Sequence, residues 1–336
     1  MTTTDPTLLD AFASARAKAQ EHMANAERNE LAWGEETITE LVMNAASSRV
    51  TAIPFNKKLE GGDNGTGADW LWWWLGEDSA AFGMLVQAKR LHKDDSGRWK
   101  IGFNFKTQRT TLLSTAKRLN VAATYVVYFG TPSYRFDVVC GGPDHGQDWG
   151  QSDFESCGMC QRKTVAFLSA VTTLNPYYGD AEHSYELAIP IEDLADPTAA
   201  EASPWISEEL PLTDELEQFL REKQSGPQKV AKAQLAKLLH LRSTQFAHAA
   251  GTLEAIELAS DDEISEAFMF PTLPADADHH GMQPFPEALR GLRTTPPPYV
   301  LDLLNGYISE LPEDMGLNQE EIAQLAGMVV VDARGI

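Results

Sequence analysis

Residues 67–91, GADWLWWWLGEDSAAFGMLVQAKRL, decide how this chain folds. Two apolar runs rich in Trp, Phe, Leu and Val flank Gly76-Glu77-Asp78-Ser79, a turn composition, so the stretch is predicted to be a β-hairpin. Centring the hairpin on that turn pairs residues whose numbers sum to about 157, which sets Asp69 opposite Ala88, between Gln87 and Lys89. Side chains alternate along a strand, so Gln87 and Lys89 share a face. A carboxylate, an amide oxygen and an ammonium are then expected to converge at the open end of an otherwise apolar ribbon.

Such a group can hold a divalent metal. A hard cation such as Mg²⁺ or Mn²⁺ takes oxygen ligands and keeps several waters, so Asp69, Gln87 and the backbone carbonyl of Ala88 suffice beside a phosphate. The metal would lower the pKa of a bound water, and the Lys89 ammonium would orient that water or stabilise charge on phosphorus. Metal-assisted phosphodiester hydrolysis is the implied chemistry. The competing reading is a hairpin end with ordinary polar residues.

Asp69 followed by Gln87-Ala88-Lys89 resembles the PD-(D/E)XK nuclease superfamily, in the Mrr-like branch where Gln replaces the second acid. Thr66-Gly67-Ala68-Asp69-Trp70 and Gln87-Ala88-Lys89-Arg90-Leu91 resemble, more narrowly, an uncharacterised domain-of-unknown-function family within it. The likeness covers roughly residues 30 to 130. It implies a restriction-endonuclease-like α/β core, a mixed central sheet flanked by helices, with Asp69, Gln87 and Lys89 catalytic. Several members of the superfamily act in restriction and phage defence, so the implied substrate is nucleic acid, DNA before RNA. The resemblance also implies a helical Glu as accessory acid, and Gln108 resembles a residue found near the site in Mrr-like enzymes.

Flanking elements fit that order. Ile38, Leu41, Val42 and Ala45 recur at helical spacing between Leu31 and Ala46, and Arg49 to Phe55 is predicted to be a short strand. Helical phase puts Glu35 on the side of Ile38 and Val42, with Glu36 and Glu40 pointing away. The narrower family pattern, Glu-Thr-x-Thr, favours Glu36, so both acids stay open; acids also simply favour a first helical turn. Asn56 to Gly67 is a loop in which Lys57 and Lys58, with Arg90 nearby, can meet phosphates, while Glu60 or Asp63 can add a ligand. Lys106 to Leu119 is predicted helical, and Ala122 to Phe129 is predicted to be a buried central strand.

All the cysteines fall in one region. Cys140, His145, Cys157 and Cys160 lie within residues 139–161, the last two as Cys-x-x-Cys, a spacing that can close a structural Zn²⁺ site on Gly-rich loops. Asp144 or Asp148 can substitute for His145. Scattered thiols and a redox pair are the alternatives.

At 336 residues the chain can bury a sizeable core. It has no apolar run of about twenty residues and no signal-peptide core at Met1, so the expectation is a soluble, cytoplasmic protein without membrane contact. Residues 1–30 are predicted to be an Ala-rich, frayed helical extension, 31–180 the nuclease core with its Cys/His insertion, and 181–336 an acidic, mostly helical region. The net charge of −22 argues against a general nucleic-acid binder. The imbalance is uneven: residues 1–180 hold 21 acids against 18 bases, whereas 181–336 hold 28 against 9. The acidic part is a solvated surface, a shield against non-specific binding, or a surface for a protein partner or activating ligand.

Within it, residues 164–174 are predicted helical, 185–191 extended, and 212–221 and 229–241 amphipathic helices. Residues 271–293, which include His279-His280, are predicted to form a loop. Gln319 to Leu325 is predicted helical and Met328 to Asp332 a strand that can join the first half's sheet. The function expected is a divalent-metal-dependent nuclease; a non-catalytic nuclease-like module binding a protein or a nucleic-acid end, and a small-nucleotide phosphodiesterase, are the alternatives. Self-association is compatible with each.

Overall fold

Three consecutive tryptophans, Trp72 to Trp74, can all be buried only if their strand is covered on both faces, because alternate side chains point to opposite sides. A computed structural model, which describes residues 6–55, 65–104, 107–135, 157–173, 181–199, 214–251 and 286–336, shows how that is done. The protein is α/β, with a mixed sheet of nine strands flanked by helices. In chain order the strands are β1 (Val50–Pro54), β2 (Trp70–Leu75), β3 (Ala81–Lys93), β4 (Trp99–Ile101), β5 (Ala122–Tyr128), β6 (Val165–Ser169), β7 (Ile189–Pro190), β8 (Leu292–Arg293) and β9 (Gly327–Asp332). They lie in the order β1-β9-β2-β3-β5-β6-β7, with β4 and β8 also pairing with β3. The pairs β2–β9 and β3–β5 are parallel; the others are antiparallel.

One face of the sheet holds Trp72 and Trp74, each edge-to-face against Phe167, with Trp74 also meeting Phe12. The other face holds Trp73, which packs edge-to-face on Tyr299 with ring centroids 6.2 Å apart. Gly83 lies opposite Trp73 and is glycine for want of room: a Cβ there would sit 2.7 Å from the indole. Edge-to-face pairs of this kind add about 0.5–1.5 kcal/mol each beyond area burial.

Helix α1 (Leu8–Arg28) is not the frayed extension expected of it. A capping box between Thr7 and Asp10 closes its first turn, and Phe12, Ala15, Ala19 and Met23 bury a continuous stripe against the same core as α2 (Glu35–Ala45). The small alanines let the two helices approach closely.

The strand predicted at 328–332 is β9, and it enters the sheet between the edge strand β1 and β2, so both halves of the chain build one sheet. Two predicted elements are corrected. Of the predicted helix at 164–174, Val165–Ser169 is β6 and Ala170–Thr173 a short 3-10 turn, because a strand buried on both faces loses its period-two pattern. Residues 185–191, predicted extended, are largely the end of a helix, Ala181–Leu187, followed by the two-residue β7 at Pro190. Of the predicted loop at 271–293, the described part carries a helical turn, Pro286–Leu289, and β8. His279 and His280 lie outside the described residues.

Candidate active site

The site forms where β2 stops pairing with β3. Pairing begins at Trp70↔Val86 and runs to Leu75↔Ala81, so partners sum to one less than expected and Asp69 falls beside Gln87 rather than Ala88. The cause lies in the connection: Gly76 to Ala80 forms a five-residue loop with a 3-10 turn, closed by the Gly76 N–H on the Ala80 carbonyl at 2.8 Å. The Asp69 carboxylate still reaches the backbone of Ala88, accepting its N–H through Oδ2 at 2.9 Å. Asp69 is fixed on its other sides too. Its N–H donates to Val86 at 2.9 Å, and its carbonyl accepts from Ala326, just before β9, at 2.7 Å.

Alternation along the pair Leu71↔Leu85 carries Asp69, Gln87 and Lys89 onto one face. Gln87 is 4 % exposed and its Oε1 is buried with no hydrogen-bond partner among the described residues. Lys89 is buried as well, and its ammonium acts electrostatically on the Glu35 carboxyl. Buried polar groups are ordinarily satisfied, so an amide oxygen left without a partner among the described residues, beside a buried lysine, is a candidate ligand.

Glu35 opens α2, which packs on the Trp72 and Trp74 face, and its carboxyl lies near enough to feel the charges of Lys89 and Asp69. Burial pushes its carboxyl above the usual range; the Lys89 ammonium draws it back, the Asp69 charge raises it further, and the Arg90 backbone N–H lowers it. Glu36 is exposed and Glu35 half-buried, the relative burial that helical phase gives the two acids. Thr39, one turn after Glu35, donates to the Glu35 carbonyl at 2.7 Å and meets the Tyr128 hydroxyl at 2.7 Å. Burial first, and then the nearby Asp69 and Glu35 charges, push the Tyr128 phenol well above its ordinary value, whereas the bond to Thr39 lowers it.

The other expected residues divide. Arg90 does not stand open to phosphate: its guanidinium donates to the Trp33 carbonyl at 2.7 Å and lies over the Trp33 ring, which anchors the entrance to α2. Gln108 begins α3 (Gln108–Leu119), whose first turn presses on Gly67, two residues before Asp69. Lys57, Lys58, Glu60 and Asp63 lie outside the described residues.

A family model matches residues 8–334. The chain belongs to DUF6615, a family of unknown function. No curated protein and no solved structure matches it. In this DUF6615 protein the matched span begins in α1 and ends beyond β9, so it includes every residue of the site just described.

The zinc site expected from the cysteines finds no support. Cys140, His145, Asp144 and Asp148 lie outside the described residues, and no group of three or more His, Cys, Asp or Glu side chains placed to hold a metal occurs among those described. Cys157 instead caps the short helix Gly158–Arg162, its Sγ accepting the Cys160 N–H at 3.5 Å, while Cys160 is buried in the core. No described helix is long and apolar enough to cross a membrane.

Thr39, Tyr128 and Trp33 belong to the site but escape the sequence reading. Thr39 carries a faint signal in its four-residue spacing from Glu35. Tyr128 is hidden within an apolar strand, where its ring explains its presence and its hydroxyl goes unnoticed.

Proposed function

We propose that this DUF6615 protein is a divalent-metal-dependent nuclease of the PD-(D/E)XK type that hydrolyses phosphodiester bonds in nucleic acid. The observation that carries this reading is the buried amide oxygen of Gln87, which has no hydrogen-bond partner among the described residues, beside Asp69, whose carboxylate accepts the Ala88 N–H and whose backbone two further bonds fix. A donor set of carboxylate, amide oxygen and a further buried carboxyl suits a hard cation, so Asp69 and Gln87 would hold Mg²⁺ or Mn²⁺ with Glu35 as the accessory acid. Bound there, the ion would supply Lewis acidity and an acidified water.

The remaining work falls to this chain's own groups. Lys89, desolvated on the same face, places a positive charge where negative charge develops on the phosphoryl oxygens, and in a dry site that charge acts more strongly than in water. The Ala88 N–H holds Asp69 in one orientation, and the Thr39–Tyr128 pair holds the first turn of α2, and with it Glu35, against β5. Resemblance to restriction enzymes makes DNA the first substrate to try and phage defence the first biological setting.

Incubation of the purified chain with end-labelled single- and double-stranded DNA and RNA, and with cyclic dinucleotides, in Mg²⁺ or Mn²⁺ tests the reading. Cleavage of a polynucleotide that falls by about 10²-fold or more in Lys89→Ala, with an unchanged melting curve, supports it. Binding without cleavage, equal in Lys89→Ala, replaces it with a non-catalytic module, and turnover of cyclic dinucleotides alone replaces it with a small-nucleotide phosphodiesterase.

A further inference from the structure

Strands β2 and β9 run parallel away from the candidate active site, and a second cavity opens at their far ends. Its volume is about 490 Å³, within the range of small-molecule sites. Leu75, the last residue of β2, lines it, which puts it about 20 Å from Asp69 along the strand.

The cavity has an apolar side and a charged end. Leu75 and Val330 form the floor, and Leu301 and Leu304, from the helix Pro298–Leu304, form a wall. These two leucines are 42 % and 37 % exposed, among the few large apolar side chains left open to solvent. At the charged end, two guanidiniums converge on one carboxylate. Arg49 donates to Asp332 Oδ2 at 2.8 Å, and Arg334 donates to Oδ1 at 2.7 Å and to Oδ2 at 2.9 Å. The same contacts hold the Asp332 carboxyl down, to about 2, so it stays ionised.

Asp332 is the carboxylate in direct contact with both arginines, Glu77 acts on Arg334 from farther off, and Arg49 also donates to the Pro6 carbonyl at 2.9 Å; N–H groups still remain to spare, since each guanidinium carries five donors. In a chain of net charge −22, guanidinium donors beside uncovered leucines are a selective feature. We infer that this cavity binds a small amphipathic anion, a phosphate or carboxylate group on an apolar body. The anionic group meets Arg49 and Arg334, and the body covers Leu301 and Leu304.

Isothermal titration of the full chain with octyl phosphate, octanoate, octanol and inorganic phosphate tests the assignment and separates phosphate from carboxylate as the head group. The expected result is that octyl phosphate or octanoate binds at least about tenfold more tightly than octanol or inorganic phosphate. Arg334→Ala and Leu304→Glu, both on exposed side chains, should each weaken it by about tenfold or more while the melting temperature holds. Equal affinity for octanol, for inorganic phosphate, or for both variants would overturn the proposal. The readout is binding alone, so it stands or falls separately from nuclease activity.

Discussion

The hydroxyls of Thr39 and Tyr128 lie 2.7 Å apart and join helix α2 to strand β5 directly beneath the candidate active site. Thr39 already donates to the Glu35 carbonyl, so its single proton is spent and Tyr128 must be the donor between them. Tyr128→Phe removes that donor and leaves the Thr39–Glu35 bond intact. The expected cost is about 1 kcal/mol in urea unfolding, with α2 retained by circular dichroism. Thr39→Val, which leaves the buried Tyr128 hydroxyl with no partner among the described residues, should cost more, about 2 kcal/mol.

Glu35 gives stability a pH dependence of defined sign. Burial raises its carboxyl above the ordinary 4.5 in the folded protein, so the folded state holds the proton more tightly than the unfolded chain. Ionisation of Glu35 therefore destabilises the fold at neutral pH, and that penalty fades as pH falls through the raised value and is gone below 4.5. Glu35→Gln should accordingly be more stable than the parent at pH 7, with the difference vanishing in acid. Urea midpoints of both proteins across pH 4 to 8 in chelator check this. A gap that widened in acid would mean that Glu35 is ionised favourably in the fold.

The hairpin is legible in the sequence because its signals are local: a turn composition between two apolar runs, and residue types whose chemistry is conspicuous. What misled was the turn itself. Ser79 adopts a left-handed conformation at φ 64° within a 3-10 turn, and the resulting loop is one residue shorter than a partner sum of 157 requires, which moves every partner by one position. The deeper burial of Glu35 relative to Glu36 was also legible, because helical phase is a property of neighbours. Residues 165–169 were not, since a strand enclosed on both faces shows no alternation to read. Nor could spacing show that β9 divides β1 from β2, a pairing across almost the whole chain.

Gly67 is the glycine on which the site's mouth depends. Its φ is +73°, and a Cβ there would come within 2.6 Å of both the Gln108 carbonyl oxygen and the Leu112 nitrogen. The backbone of α3 cannot yield as a flexible side chain would. Gly67→Ala combines left-handed strain with a steric push on α3, and the expected loss is about 3 kcal/mol by chemical denaturation. Gly97→Ala serves as the control: it has a similar φ of +79° but open space around the Cβ position, so it should lose only the strain component, about 1 kcal/mol.

Gln87 separates stability from function most cleanly. Its buried amide oxygen has no partner among the described residues, and an unsatisfied buried acceptor costs about 1–3 kcal/mol. Gln87→Met keeps the length of the side chain and removes that acceptor, so the metal-free variant should be more stable than the parent by about 1 kcal/mol. If the oxygen is held in reserve for a cation, Mn²⁺ should raise the melting temperature of the parent and leave Gln87→Met unmoved, because only the parent has differential affinity for the ion in its folded state. Differential scanning calorimetry with and without Mn²⁺ reads both effects at once. A parent indifferent to Mn²⁺, or a variant that still responds in full, would remove Gln87 from the ligand set and with it the strongest support for metal-assisted chemistry here.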